Sequence, residues 1–389
     1  VRGGWPFDTG LELVRTQSFI NGLYLDPNDE TGADDAARNT LLMRMDHIRA
    51  ALAGSLQEYM LTDRLGNTVA SKALDFDGQP AGYAADPEEV INYIEAHDNE
   101  TLFDAIQFKA PLNASLDERV RMQNLGNSVL MFSQGIPFIH AGQELLRSKS
   151  MDRNSYDAGD WFNVLDFSFN TNGWGRGMPL QQDNQSNWTV IQPRLADLSL
   201  AVEKDHILRA RDHMLELLQI RKSSPLFRLQ TAEQIQQHVK FYQAGNEQVP
   251  GVIVMALEDG GNKIDKQWQQ ILVLFNADVK SQQVTLVNRV GQQFRLHPVQ
   301  QASDDQRLKE AGFQSTTGTF TLPARTAAVF VSTDNPAGVT PNPQPEPPAA
   351  KKKSGSVSGT FWWGILMLFL ALRLCARMNQ RSNFFRLDN

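Results

Sequence analysis

With 389 residues, the chain is long enough for two globular domains with separate cores, at a usual size of roughly 100–200 residues each. Apolar residues make up 41% and charged residues 21%, which excludes a wholly disordered or collagen-like chain. The net charge of −7 speaks against nucleic acid, whose phosphates need clustered Lys and Arg, and the single cysteine, Cys375, leaves the globular part without a disulfide, a Cys metal site or a Cys nucleophile.

Residues 1 to about 60 read as loops and a helix that do not form a self-sufficient unit. The run Val90-Ile91-Asn92-Tyr93-Ile94 predicts a short buried strand, and its end delivers Glu95-Ala96-His97-Asp98-Asn99. A helix follows at 116–134, opened by a Ser115-x-x-Glu118 capping box, with Met122, Leu125, Val129 and Phe132 at helical spacing. The next apolar run, Ile136 to Gly142, predicts a second strand. Strand, helix and strand make one β/α unit of a parallel sheet or barrel, a fold that places chemistry on the loops after its strands. A long helix is expected at 196–222, with Ile207, Ala210, Met214, Leu217 and Leu218 on its apolar stripe.

From about 235 the pattern changes to short apolar runs, Gly251–Met255, Ile271–Phe275, Val284–Val287 and Ala327–Val331, which suggest an antiparallel sandwich. The expected organisation is α/β plus all-β: barrel material at 1–230, a β-sandwich at 231–334, and a Pro/Lys/Ser/Gly-rich linker at 335–359. An apolar segment at 360–377 and a basic tail at 378–389 follow. The apolar segment is a marginal membrane anchor; Arg373, Arg377 and Arg381, which follow its apolar run Phe361–Leu372, would leave the C-terminus in the cytoplasm and the globular part outside. This tail resembles the C-terminal sorting signals of exported Gram-negative proteins, which implies an exported chain that meets the membrane or a sorting machinery.

His97-Asp98-Asn99 taken alone is a weak signal, because a His-Asp pair at a strand end is as often structural as catalytic. The longer stretch Asn92-Tyr93-Ile94-Glu95-Ala96-His97-Asp98-Asn99-Glu100-Thr101-Leu102 is similar to the fourth sequence region of the α-amylase superfamily in its pullulanase-type form. The opening Val1-Arg2-Gly3-Gly4-Trp5-Pro6-Phe7-Asp8, the stretch Glu144 to Ser150, Asp152-Arg153-Asn154-Ser155-Tyr156-Asp157 through Asn163, and Arg221 to Phe227 also resemble bacterial pullulanases. The resemblance runs from residue 1 to about 333 and implies the C-terminal part of a (β/α)8 barrel followed by the sandwich.

It further implies hydrolysis of α-1,6-glucosidic bonds in pullulan, amylopectin and limit dextrins by a retaining mechanism, with an α-glucan as partner and a monomeric enzyme. By motif position Asp98 resembles the carboxylate that stabilises the transition state, with His97 and Asn99 beside it on substrate. Arg153, Asn154 and Asp157, on the loop after the last barrel strand, become further candidates for substrate contact; Trp161 reads as a packing residue. No segment resembles the family's Gly-Phe-Arg-Phe-Asp nucleophile region or its Gly-Glu-Gly-Trp acid region. The chain is therefore expected to derive from a longer enzyme cut upstream of Val1, and to be inactive alone. An α-1,4-acting relative and a non-catalytic glucan-binding protein at the cell surface are the alternatives. His47, His140, His206, His213, His238 and His297 form no metal-ligand spacing and read as structural or exposed. The sequence assigns no cofactor; related enzymes often carry structural Ca2+, which stays open because no diagnostic calcium loop is present.

Overall fold

The computed structural model of the chain describes residues 1–5, 8–261 and 263–334. The expected linker, apolar segment and basic tail at 335–389 lie outside the described residues. Among the described residues no helix is long and apolar enough to cross a membrane. Helices and loops dominate the first part of the chain, and antiparallel strands dominate from Val239 onward.

Ile91–Asn92 and Ile136–Pro137 pair in parallel, Ile91 opposite Ile136, with the helices Leu102–Lys109 and Leu116–Phe132 between them in sequence. Both strands are shorter than expected: Pro137 has no N–H to donate, and among the described residues no third strand pairs with either member. The expected burial is corrected too. Ile91 is 57% and Phe138 56% exposed, with Tyr93 and Ile136 also open to solvent. Parallel strands are ordinarily covered on both faces, and this pair is covered only on the side where Val90 packs into the core.

The helix Leu116–Phe132 agrees with the expected one to within two residues, and Met122, Leu125, Val129 and Phe132 are all buried. Only half of its capping box forms. Ser115 Oγ accepts from the Glu118 N–H, but the Glu118 carboxylate turns outward to Arg307 (2.8 Å) and Arg325 (2.7 Å). The helix expected at 196–222 begins later, at Lys204, and ends at Ser223. Asp197 accepts from the Ser199 N–H and closes a short 3-10 turn, Leu198–Leu200, that separates it from the helix Trp188–Ala196. Ile207, Ala210, Met214 and Leu217 are buried as expected, whereas Leu218 is exposed.

The β-rich part holds a five-stranded antiparallel sheet in the order Arg295–Leu296, Thr326–Ser332, Gln270–Asn276, Val252–Glu258, Val239–Tyr242. A three-stranded antiparallel sheet contains Gln282–Thr285, Thr319–Leu322 and Gly312–Gln314. The run expected to reach Val287 ends at Thr285; Val287 opens a 3-10 turn and is exposed. Val254, Leu272, Leu274 and Phe330 meet Val284, Phe320 and Leu322 of the smaller sheet. On the opposite face Ile253, Met255, Val273, Phe275 and Val329 join a core that runs without a break across the expected boundary at 230/231 into Leu41, Met45, Leu125 and Phe132. Phe132 lies at that junction, 5.3 Å from the Phe227 ring and 6.3 Å from the Phe275 ring.

Phe132 is fully buried. Phe132→Ala should lower unfolding free energy by about 3–5 kcal/mol, the usual cost of emptying a buried aromatic site. Urea unfolding followed by circular dichroism checks this, and helix and strand signals should be lost together.

Candidate functional site

The expected site residues fall on two loops. The first, after Ile91–Asn92, carries His97, Asp98 and Asn99; the second, after the 3-10 turn Gln143–Leu145, carries Arg153, Asn154 and Asp157. His97 and Asp98 side chains are 83% and 74% exposed and approach each other at 3.7 Å, so both are available to a ligand. Asn99 has φ 61°, a left-handed conformation that turns the chain after Asp98. Asn154 and Asp157 are exposed. Arg153 is half-buried, and its guanidinium reaches back to the Asp8 carbonyl at 3.5 Å.

Beneath the exposed groups lies a dense polar layer. Glu95 is buried and accepts from the Leu102 N–H, which closes the loop that carries His97, Asp98 and Asn99. Lys149 Nζ donates to the His97 carbonyl at 3.1 Å. Asp104 accepts from Ser148 Oγ at 2.5 Å and the Lys149 N–H at 2.8 Å, so the first helix after the Asp98 loop is fastened to the chain that enters the second loop. The backbone pays for this crowding in strain at Leu146, Ser150 and Met151, with φ 57°, 54° and 65°.

Sequence reasoning missed what joins the two loops. His140 Nδ1 lies 3.0 Å from Glu95 Oε1, and Arg147 Nη1 lies 2.9 Å from His140 Nε2. Arg147 Nη2 donates to Asn163 Oδ1 at 3.2 Å, and Asn163 Nδ2 donates to the Ser155 carbonyl at 3.0 Å. Nothing local in the stretch from His140 to Ser150 indicates that Glu95, 45 residues away, is the partner of His140. Trp161, expected to pack inside, is 62% exposed; its indole N–H donates to the Arg176 carbonyl and the Arg176 guanidinium lies 6.0 Å from its ring.

Two concave regions among the described residues lie elsewhere. One, of about 600 Å³, is lined by Arg44, His47, Phe76 and Tyr83; another, of about 430 Å³, by Arg121, His213, Glu216 and Asp305. Neither includes His97 or Asp98, which stand on an open surface. Geometry and chemistry outweigh cavity size here, because paired exposed polar groups on two linked loops can hold a hydroxyl-rich ligand. Among the described residues no group of three or more His, Cys, Asp or Glu is placed to hold a metal ion.

A family profile described as alpha-1,6-glucosidases, pullulanase-type, C-terminal, matches residues 169–333. The chain is similar to the chloroplastic pullulanase 1 of Arabidopsis thaliana, with 45% identity over 341 residues, 86% of this chain and 35% of that protein. It is 38% identical to the pullulanase of Klebsiella pneumoniae over 334 residues, 85% of this chain and 30% of that protein. It therefore spans about a third of the length of these curated relatives. Its fold superposes with a TM-score of 0.80 on a crystal structure of the maltotriose complex of PulA from Klebsiella pneumoniae, at 38% identity, covering 85% of this chain and 35% of that one.

Burial raises the Asp104 carboxyl from 3.8 to about 6, against the hydrogen bonds from Ser148 and Lys149 that favour its charged form. Between those two values the folded chain holds a proton that the unfolded chain has released, so this group's contribution to stability falls as pH rises from about 4 to 6. Asp104→Asn should remove that part of the pH dependence, read as the difference between wild-type and variant urea midpoints across the same range.

Proposed function

We propose, on the premise that this chain belongs to the pullulanase-type α-1,6-glucosidases and corresponds to their C-terminal region, that it supplies part of the glucan-contacting surface of a starch-debranching hydrolase. The observation that carries this reading is the exposed His97–Asp98 pair at the end of a parallel strand, linked through a buried polar layer to the loop of Asn154 and Asp157. The parallel pair and its two helices are read as the closing part of a (β/α)8 barrel, and the two packed antiparallel sheets as the sandwich domain after it. Loops following parallel strands are where barrel enzymes place their chemistry.

The reaction follows from the chemistry of a glucosidic bond. A retaining hydrolase needs a carboxylate nucleophile and a carboxylic acid about 5–5.5 Å apart, and passes through a positively charged, flattened sugar ring. In this reading neither of those two groups is in the chain. Asp98 supplies a third carboxylate that takes hydroxyl hydrogen bonds which strengthen as the ring distorts, so that binding energy appears in the rate. His97 shares the same ring, Asn99 the neighbouring one, and Arg153, Asn154 and Asp157 hold the glucan farther along. Pullulan, amylopectin and limit dextrins are the substrates of the whole enzyme, and this chain alone hydrolyses none of them. Export with a sorting or membrane segment at 360–377 belongs to the same reading and rests on the tail's sequence.

Pullulan hydrolysis by the native gene product, followed by reducing ends and product size, tests the reading. Asp98→Asn should lower kcat by about 10²–10³-fold, the range for removing one transition-state electrostatic partner. A folded native protein without activity on pullulan would leave glucan binding alone as its function.

A further inference from the structure

The buried layer beneath the two loops has a direction. Arginine has donors only, so the 2.9 Å contact from Arg147 Nη1 makes His140 Nε2 an acceptor. The imidazole proton is then on Nδ1, which donates to Glu95 Oε1 at 3.0 Å. Glu95 accepts with its other oxygen from the Leu102 N–H. The remaining arm of Arg147 donates to Asn163, which is bonded in turn to Ser155 through both its amide nitrogen and its amide oxygen. Each link admits one donor and one acceptor, and the Glu95 side chain is fully buried while that of His140 is 11% exposed, so water competes weakly for the bonds.

The two ends of this relay are informative. Glu95 stands two residues before His97 and its partner Leu102 three residues after Asn99, so it clasps the first loop at both ends. Ser155 stands between Asn154 and Asp157 on the second. We propose that Glu95 and His140 are positioning residues that hold the two loops at one fixed separation, so that a single α-glucan chain meets Asp98 on one loop and Asn154 with Asp157 on the other. This rests on the glucan reading above. Neither Glu95 nor His140 touches the sugar; His140 is the hinge pin, because it joins Glu95, which clasps the first loop, to Arg147, which reaches the second through Asn163. A histidine that merely filled space would need neither a single tautomer nor two charged partners.

The variant pair His140→Ala and His140→Asn separates the arms of the relay. Alanine removes both links, whereas an asparagine amide N–H occupies roughly the place of Nδ1 and keeps the bond to Glu95 without an acceptor for Arg147. With native gene product and pullulan, His140→Ala should lower kcat about tenfold and raise KM about tenfold, a modest case of the roughly 10²-fold cost of a misplaced site. His140→Asn should restore kcat and leave KM raised. If the wild type hydrolyses pullulan and both constants of His140→Ala stay within about twofold of it, the positioning role is overturned while the glucosidase reading stands. An inactive wild type, by contrast, is the failure of that reading. Should His140→Ala not fold, the ¹⁵N side-chain signals of His140 in this chain decide: the Nδ1–H tautomer supports the relay, and the Nε2–H or doubly protonated form overturns it.

Discussion

Everything in this structure depends on a five-stranded sheet that is buried on both faces. Val252–Glu258, Gln270–Asn276 and Thr326–Ser332 are buried along almost their whole length, so one face needs the smaller sheet and the other needs the helix Leu116–Phe132. Phe275 points to the helix side and meets Phe132, while Leu274 and Phe330 point to the smaller sheet. Fully burying side chains of this size stabilises by about 1.5–3 kcal/mol each, so neither covering layer is dispensable. Charge finishes the junction. Glu118 and Arg121 on the helix pair with Arg307, Arg325 and Asp305 from the β-rich part, and Arg325 also reaches Asp26.

This anchoring explains how an exposed site can be ordered. The helix held by the sheet runs back to the strand pair whose ends carry the loops, and Gly126 lets it come close: a Cβ there would stand 2.8 Å from Ile94 Cδ1. Hydrogen bonds that Lys149 donates to the His97 carbonyl, Ser148 donates to Asp104 and Glu95 accepts from the Leu102 N–H then fix the loops from below. The polar side chains that face solvent are thus free to bind, because the groups beneath them satisfy the backbone. Buried polar layers of this sort are costly when incomplete, since a lost partner leaves a desolvated group behind.

The sequence revealed elements wherever the physics was local. Ser115 and the 3.6-residue spacing of Met122, Leu125, Val129 and Phe132 are enough to place a helix, and the continuous apolar runs from Val252 and Ile271 are enough to place buried strands. Boundaries failed where a neighbour decided the outcome. Glu118 could have closed its own capping box, but two arginines about 200 positions away offer it charged partners. Leu218 fits the apolar stripe of its helix as well as Leu217 does, yet lies one step beyond the surface the core covers. The strand pair reads as buried because Ile91 and Ile136 are apolar; burial needs a covering layer, which residue type alone does not supply.

The site was legible in a similar, partial way. His97, Asp98, Asn99, Arg153, Asn154 and Asp157 stand out because a motif marks them, whereas Glu95, His140, Arg147 and Asn163 join only through the fold. The central claim is that the two loops form one glucan-binding face, and the most direct test is to add maltotriose to this chain and follow backbone amide ¹H–¹⁵N shifts. Binding should move the signals of His97–Asn99 and of Arg153–Asp157 together, along one saturation curve. Shifts confined to one loop, or centred instead on the concavity lined by Arg44, His47 and Tyr83, would contradict it.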